Sequence, residues 1–183
     1  MRAIVRSADR LPEALRRHNA LTVIEARVAA LRDAELAGHV RGCTGAASCL
    51  GHNLTFRGVY GKPRRLVTDT ARRLCAALGA DDERDQGPAR FVLMNSAGVR
   101  HRGQHEPVPV AQHIVLALLR ILVPPHADNE RAAEHLRTGV GVAEDAPVQW
   151  AVVRPDTLTN ADAATAYDAH PAPTRSAIFN SGK

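Results

Sequence analysis

Two uninterrupted apolar runs constrain the fold of this chain more than any other feature. Residues 91–94 (Phe-Val-Leu-Met) and 150–153 (Trp-Ala-Val-Val) contain no charged or amide side chain. A strand with one face in water alternates apolar and polar residues, whereas continuous runs are typical of parallel strands covered on both faces. Segments with helical spacing lie between the runs. This alternation predicts an α/β fold, an open parallel sheet with helices on both faces.

The remaining elements follow from the same reasoning. Strands are predicted at 3–5, 21–24, 44–50, 91–94 and 150–153, with a further strand candidate at 177–179. Helices are predicted after Asp9 and at 33–40, 65–78, 110–122 and 128–137. Residues 51–63 contain three glycines and a proline, which predicts a loop. The length of 183 residues is that of one domain, so we expect residues 1–183 to form a single domain.

Composition excludes several classes of partner. The net charge is +5, but the basic residues are scattered in pairs and aromatic residues make up only 3% of the chain. A nucleic-acid interface needs a basic patch and, for single strands, stacking aromatic rings, so no nucleic-acid partner is expected. The longest apolar run, residues 114–123, is interrupted by Arg120 and shorter than the about 20 residues that a membrane span needs. Three cysteines without a C-x-x-C pair suit a reducing cytoplasm.

The candidate site lies where the predicted strands end, because ligands of open parallel sheets bind beyond the carboxyl ends of the strands. Small, hydroxyl and basic residues recur at these positions. They are Arg6-Ser7, Glu25-Ala26-Arg27, Cys49-Leu50-Gly51-His52, Asn95-Ser96-Ala97-Gly98 and Arg154-Pro155-Asp156-Thr157.

The order and spacing of these segments resemble a known family. Val5-Arg6-Ser7, Leu50-Gly51, the run 91–96, the segment 133–137 (Ala-Glu-His-Leu-Arg) and the run 153–158 together are similar to an atypical short-chain dehydrogenase/reductase. The similar branch binds NAD(P)H and includes NmrA-like and biliverdin-reductase-B-like proteins. The likeness extends over nearly the whole chain, from the family's second strand to past its sixth. It implies a Rossmann-like fold, a nicotinamide dinucleotide and a small-molecule substrate.

The resemblance also implies roles for individual residues. Arg6 matches the arginine that grips the 2′-phosphate of NADP, with Ser7 as a second donor and NAD as the alternative cofactor; a surface arginine is an equally good interpretation. Cys49, Leu50 and Gly51 match the turn under the ribose and nicotinamide, and Asn95, Arg154 and Pro155 complete the cofactor site. Ser96 matches the active-site serine. The family's usual aspartate after the third strand is replaced here by Arg27, which weakens adenine recognition.

One part of the family's machinery is missing. Active relatives carry a Tyr-x-x-x-Lys pair, and the segment 126–130 that aligns with it begins with His126 and ends with Glu130. Without the pair, the proton for hydride transfer would have to come from another acid such as His52 or His126, although both are expected at the surface. His126, Glu130 and Glu134 share a helical face, predicted to be solvated and to bind no metal.

The start of the chain also departs from the family pattern. The first strand runs into Arg6-Ser7, and no G-x-G-x-x-G motif is present. In the doubly wound order, the strand before that motif lies at the centre of the sheet. We therefore expect the fold to be N-terminally incomplete, with a glycine-rich unit encoded upstream, or else the family's second and fourth strands to pair directly. We also expect the sequence to stop before the last helix of the family.

Two functions follow as hypotheses. The first is a cytoplasmic NADP(H)-dependent oxidoreductase acting on an unidentified small molecule. The second is a non-catalytic NAD(P)H-sensing or regulatory module, or a degenerate fragment. In either case, the missing glycine-rich turn predicts weak or no dinucleotide binding by the chain as it stands.

Overall fold

A computed structural model describes residues 1–53, 55–81, 87–99, 110–155 and 166–172, with the backbone alone at 110–114. Its strands are β1 Arg2–Val5, β2 Thr22–Glu25, β3 Gly45–Ser48, β4 Ala89–Met94 and β5 Val148–Val153. Its helices are α1 Glu13–Arg16, α2 Asp33–Val40, α3 Phe56–Tyr60, α4 Leu66–Gly79, α5 Val110–Leu122 and α6 Pro124–His135. Short 3-10 turns lie at Ala8–Arg10 and Val28–Ala30, and a π-helical turn at Leu136–Val140 follows α6.

All strand pairs are parallel, and helices connect the strands on both sides of the sheets, which confirms the predicted Rossmann-like α/β fold. β1 pairs with β2, and β3, β4 and β5 form a second ladder with β4 in the middle. The direct pairing considered above, which would join β1 to β3, is wrong, because these strands belong to separate ladders. The Arg2 side chain of β1 instead contacts the end of α2, where it donates to the carbonyls of His39 and Arg41 over 2.8 and 2.9 Å.

The core lies on one face of the three-stranded sheet. Phe91 and Leu93 of β4 are fully buried there against Val67, Ala71 and Leu78 of α4. The opposite face is only partly covered in the described part of the chain, where Val92 is 37% and Val153 is 49% exposed. The prediction that the continuous apolar runs are buried on both faces is therefore wrong for this sheet. The reason is that α4 covers only the face to which Phe91 and Leu93 point.

Two helices differ most from the prediction. α3 lies inside the predicted loop 51–63, where the Thr55 hydroxyl accepts a hydrogen bond from Gly58 N and caps a helix of one turn. α6 begins at Pro124 rather than near Asp128, because proline is well suited to the first turn of a helix. The strand candidate 177–179 lies outside the described residues.

Candidate functional site

Side-chain contacts link the carboxyl ends of β1 and β3. Arg6, directly after β1, is exposed, and its Nη2 donates to Asn53 Oδ1 over 3.2 Å in the segment after β3. The turn between β3 and Asn53 contains the exposed Cys49 and Gly51. A Cβ atom placed on Gly51 would meet no atom within 4 Å. The structure therefore leaves open space beside the turn that was predicted to lie under a cofactor.

The carboxyl ends of β4 and β5 are also linked to their surroundings. Buried Asn95 accepts a hydrogen bond from Ser96 N over 2.8 Å and donates through Nδ2 to Asn129 O of α6 over 3.0 Å. These bonds fix the turn on which the exposed Ser96 lies. After β5, Arg154 donates to Val99 O over 2.8 Å. The strand ends and α6 thus form one connected edge. The candidate site was predicted at this edge.

His52 and Asp128 form a buried pair at this edge, although the two residues are 76 positions apart. Their Nε2 and Oδ2 atoms are 2.9 Å apart, and the side chains are 6% and 0% exposed. The prediction that His52 is a surface residue is wrong. The ring lies against α6 because the strand end after β3 carries it to the helix.

Asp128 also serves as the cap of α4. Its carboxylate accepts hydrogen bonds from Val67 N over 2.8 Å, from Thr68 N over 3.2 Å and from the Thr68 hydroxyl over 2.6 Å. Arg65, which precedes α4, provides no side-chain cap. A buried carboxylate is stabilised by the free N–H groups and the dipole at a helix N-terminus. Asp128 therefore fills the position at which an anionic ligand would otherwise bind to α4.

A second histidine–carboxylate pair lies on α6 itself. His126 Nε2 lies 3.5 Å from Glu130 Oε1, both side chains are 10% exposed, and Arg120 holds Glu130 with two hydrogen bonds of 2.5 and 2.7 Å. Burial raises the pKa of Glu130, but the nearby His126 and the hydrogen-bonded, charged Arg120 outweigh it and lower this pKa to about 2. The predictions of a surface His126 and a solvated acidic face are therefore wrong at these positions, because α5 packs over them.

The other end of the molecule holds a cavity with different chemistry. It measures about 300 Å³ and lies at the amino-terminal end of β5, lined by Arg72, Cys75, His135 and Val148 among others. Burial raises the pKa of the Cys75 thiol to about 12, which makes the thiol inert at neutral pH. Burial and, to a lesser extent, the charge of Arg72 lower the pKa of His135. The cavity lies far from the strand carboxyl ends, so it is not part of the candidate site.

The chain matches a known protein family over nearly its whole length. A family described as NAD(P)H-binding matches residues 1–177. The chain belongs to this NAD(P)H-binding family. No curated protein and no solved structure matches it. Membership agrees with the parallel sheet and with the site at its carboxyl edge.

The residues at this edge fit a nicotinamide dinucleotide in part. Arg6 offers an exposed cation for a phosphate group, and the buried Ser48 Oγ at the end of β3 has no hydrogen-bond partner among the described residues. None of the described turns after a strand is glycine-rich, so the pyrophosphate contact common in NAD(P)H-binding folds is not supplied by these turns. In the described ranges, no three His, Cys, Asp or Glu side chains are grouped closely enough to hold a metal ion.

Several predicted residues fall outside the description. Asp156 and Thr157 lie among residues that the structure does not describe. Ser7, Leu50 and Pro155 lie at the predicted edge, and their roles there remain predictions. Among the described residues, no helix is long and apolar enough to cross a membrane.

The role of Asp128 as the cap of α4 was not predicted from the sequence. One signal pointed to it: α4 begins after Arg64-Arg65, with no Ser, Thr, Asp or Asn immediately before the helix. A helix without a local cap takes its cap from elsewhere in the fold. The partner could not be identified from the sequence, since it lies about 60 positions away.

Proposed function

We propose that this member of the NAD(P)H-binding family is an atypical short-chain reductase that prefers NADP(H) and reduces a small molecule. One observation supports this most strongly: side-chain contacts join the ends of β1, β3, β4 and β5 into a single edge. Arg6 meets the segment after β3, Asn95 meets α6, and Arg154 meets the loop after β4. Ligands of parallel sheets bind at such an edge.

Each residue at the edge has a proposed task. Arg6 and Ser7 hold the 2′-phosphate, and the turn Cys49–Gly51 lies under the ribose and nicotinamide. Asn95 fixes the turn that presents Ser96, and the Ser96 hydroxyl donates a hydrogen bond to the substrate. Arg154 and Pro155 form the side wall. The dinucleotide, when bound, supplies a hydride.

Calorimetric titration with NADPH and NADH tests the cofactor site. We expect the dissociation constant for NADPH to be weaker than micromolar, because the described turns provide no glycine-rich phosphate loop. Arg6→Ala should weaken NADPH binding by about 10-fold while changing NADH binding little, since a charge-assisted bond to phosphate contributes about 1.5–3 kcal/mol. Arg17→Ala, which changes an exposed arginine directly after α1, is the control. Equal losses for both cofactors would contradict the role of Arg6, and a micromolar dissociation constant would contradict the expectation of weak binding.

A non-catalytic NAD(P)H sensor is the second candidate. It is favoured by one observation: His126 and Glu130 stand where active relatives carry their Tyr and Lys, and Glu130 is engaged by Arg120. Turnover assays with aldehydes, quinones and flavins separate the two functions. Binding of NADPH without turnover of any of these acceptors would favour the sensor.

The proposal includes the setting in which the protein works. Cys43, Cys49 and Cys75 are free thiols, which suits the reducing cytoplasm. We also expect residues 1–183 to act as one dinucleotide-binding domain. Calorimetric unfolding in a single cooperative transition supports this expectation, and two separate transitions would contradict it.

A further inference from the structure

We infer that His52 and Asp128 form the proton-donating pair of this site, with His52 Nδ1 as the atom that protonates the substrate oxygen. The inference rests on the proposed reductase function and assigns the acid that the missing Tyr and Lys leave vacant. It starts from a contact that membership in the family does not supply, the 2.9 Å bond between His52 Nε2 and Asp128 Oδ2.

The bond to Asp128 sets which ring nitrogen is available. An ionised carboxylate only accepts, so Nε2 of His52 carries the hydrogen of this bond. Nδ1 has no hydrogen-bond partner among the described residues, and it is not one of the fully buried side-chain atoms that lack a partner. A histidine oriented by a carboxylate on one nitrogen and free on the other has the arrangement that general acid–base catalysis uses.

Asp128 holds the ring rigidly because its own position is fixed. Three further donors bind its carboxylate, two from the backbone of α4 and one from the Thr68 hydroxyl. The dipole at the helix N-terminus also interacts favourably with a carboxylate at this position. Asp128 is thus a positioning residue, which acts through His52.

The pair and the turn that carries Ser96 are both attached to α6. Asn129, the neighbour of Asp128 on α6, accepts the hydrogen bond from Asn95, and Asn95 in turn fixes Ser96. Consecutive residues of one helix therefore tie both His52 and the Ser96 turn to the same edge. The His52 side chain is almost completely covered, so bulk water competes little for its proton.

The proton step balances with hydride transfer to a carbonyl compound. The hydride adds to the carbonyl carbon, the π electron pair moves to oxygen, and this oxygen takes the proton from Nδ1 of imidazolium. His52 is left neutral, with its Nε2 hydrogen still bonded to Asp128, and regains a proton from solvent. The overall change consumes one hydride and one proton and gives an alcohol.

A nitrogen-15 NMR spectrum of the ligand-free protein tests the pair without any cofactor. We expect the neutral His52 ring to carry its hydrogen on Nε2 and none on Nδ1. A neutral ring with its hydrogen on Nδ1 would overturn the inference, whatever the protein binds.

His52→Gln tests the proton transfer itself, because its amide nitrogen can still donate to Asp128. With saturating NADPH, we expect reduction of 4-nitrobenzaldehyde to fall by about 100-fold or more. Reduction of menadione should change little, since a hydroquinone anion is a far weaker base than an alkoxide. NADPH affinity and the melting temperature should stay close to wild type.

The control is His135→Gln, at the other end of α6 beside the cavity, which should leave both rates unchanged. Equal losses with both acceptors, or no loss with the aldehyde, would overturn the inference while the reductase function stands. A wild-type protein that reduces neither acceptor contradicts the reductase function, and the proton-donor role with it.

Discussion

α6 carries the carboxylates of two histidine–carboxylate pairs, Asp128 with His52 and Glu130 with His126, and the two carboxylates are held differently. Asp128 is fully buried and saturated by donors from α4 and by His52. Glu130 lies one half-turn further along, faces α5 and is held mainly by the exposed guanidinium of Arg120. His52 gains a fixed orientation from its partner, whereas His126 Nε2 has no hydrogen bond within the described structure.

The difference shows that proximity of a histidine to a carboxylate does not make a proton-donating pair. A carboxylate orients a ring only when its own position is fixed by further donors. Asp128 satisfies this condition through the N-terminus of α4. Glu130 instead joins α5 to α6, and its contribution is electrostatic. Three changes on α6 test this ranking through the free energy of unfolding.

Asp128→Ala should have the largest effect. It removes the acceptor of two backbone N–H groups, a hydroxyl and the His52 ring at once, all inside the protein. Buried donors left without partners predict a loss of about 3–5 kcal/mol in the free energy of unfolding. Urea denaturation followed by circular dichroism measures this loss.

Asp128→Asn is the companion variant if Asp128→Ala does not fold. It keeps one oxygen acceptor of the same size, so we expect it to lose roughly half as much. A loss for Asp128→Ala no larger than that of Glu130→Gln would refute the proposed difference between the two pairs.

The sequence predicted those parts of the fold that depend on local patterns. The apolar spacing of residues 66–78 predicted α4, and the runs at 91–94 and 150–153 predicted β4 and β5, because periodicity reports which residues face the core. It failed on α3, a single turn capped by Thr55, since one turn contains no full period. The partly covered face at Val92 was also missed, because an apolar run does not show which faces are covered.

The sequence predicted which residues lie at the strand ends but not the contacts between them. The rule that ligands bind at strand carboxyl ends identified the positions of Arg6, His52 and Ser96. The pairing of His52 with Asp128 could not be predicted, because it depends on how α6 packs on the end of α4. The same tertiary packing buries His126 and Glu130, which the helical spacing alone had placed in water.

Glu130→Gln should have an intermediate effect that depends on pH. The folded pKa of about 2 lies below the ordinary value of 4.5, so the unfolded chain binds the extra proton. The stabilisation is therefore complete above about pH 5 and is lost as the pH falls towards 2. Because Arg120 is partly exposed, we expect a contribution of about 1–3 kcal/mol at pH 7.

Urea denaturation of wild type and Glu130→Gln at several pH values measures this contribution. The two proteins should differ at neutral pH and converge as the pH falls from about 5 to 3. A difference that stays constant with pH would mean that Glu130 contributes through packing rather than through its charge.

Glu134→Gln should have the smallest effect, and it calibrates the other two. Glu134 binds Arg137, in the π-helical turn that follows α6, with hydrogen bonds of 2.6 and 3.1 Å, a geometry as good as that of Glu130 with Arg120. Its side chain is 31% exposed, however, and Arg137 is 36% exposed, so water competes for both charges. Exposed ion pairs contribute little to stability. We therefore expect the smallest loss of the three changes, measured by the same urea titration in low salt and abolished in high salt. A loss equal to that of Glu130→Gln would show that burial against α5 adds nothing to the pair, and that distance alone sets the strength of the carboxylate contacts on α6.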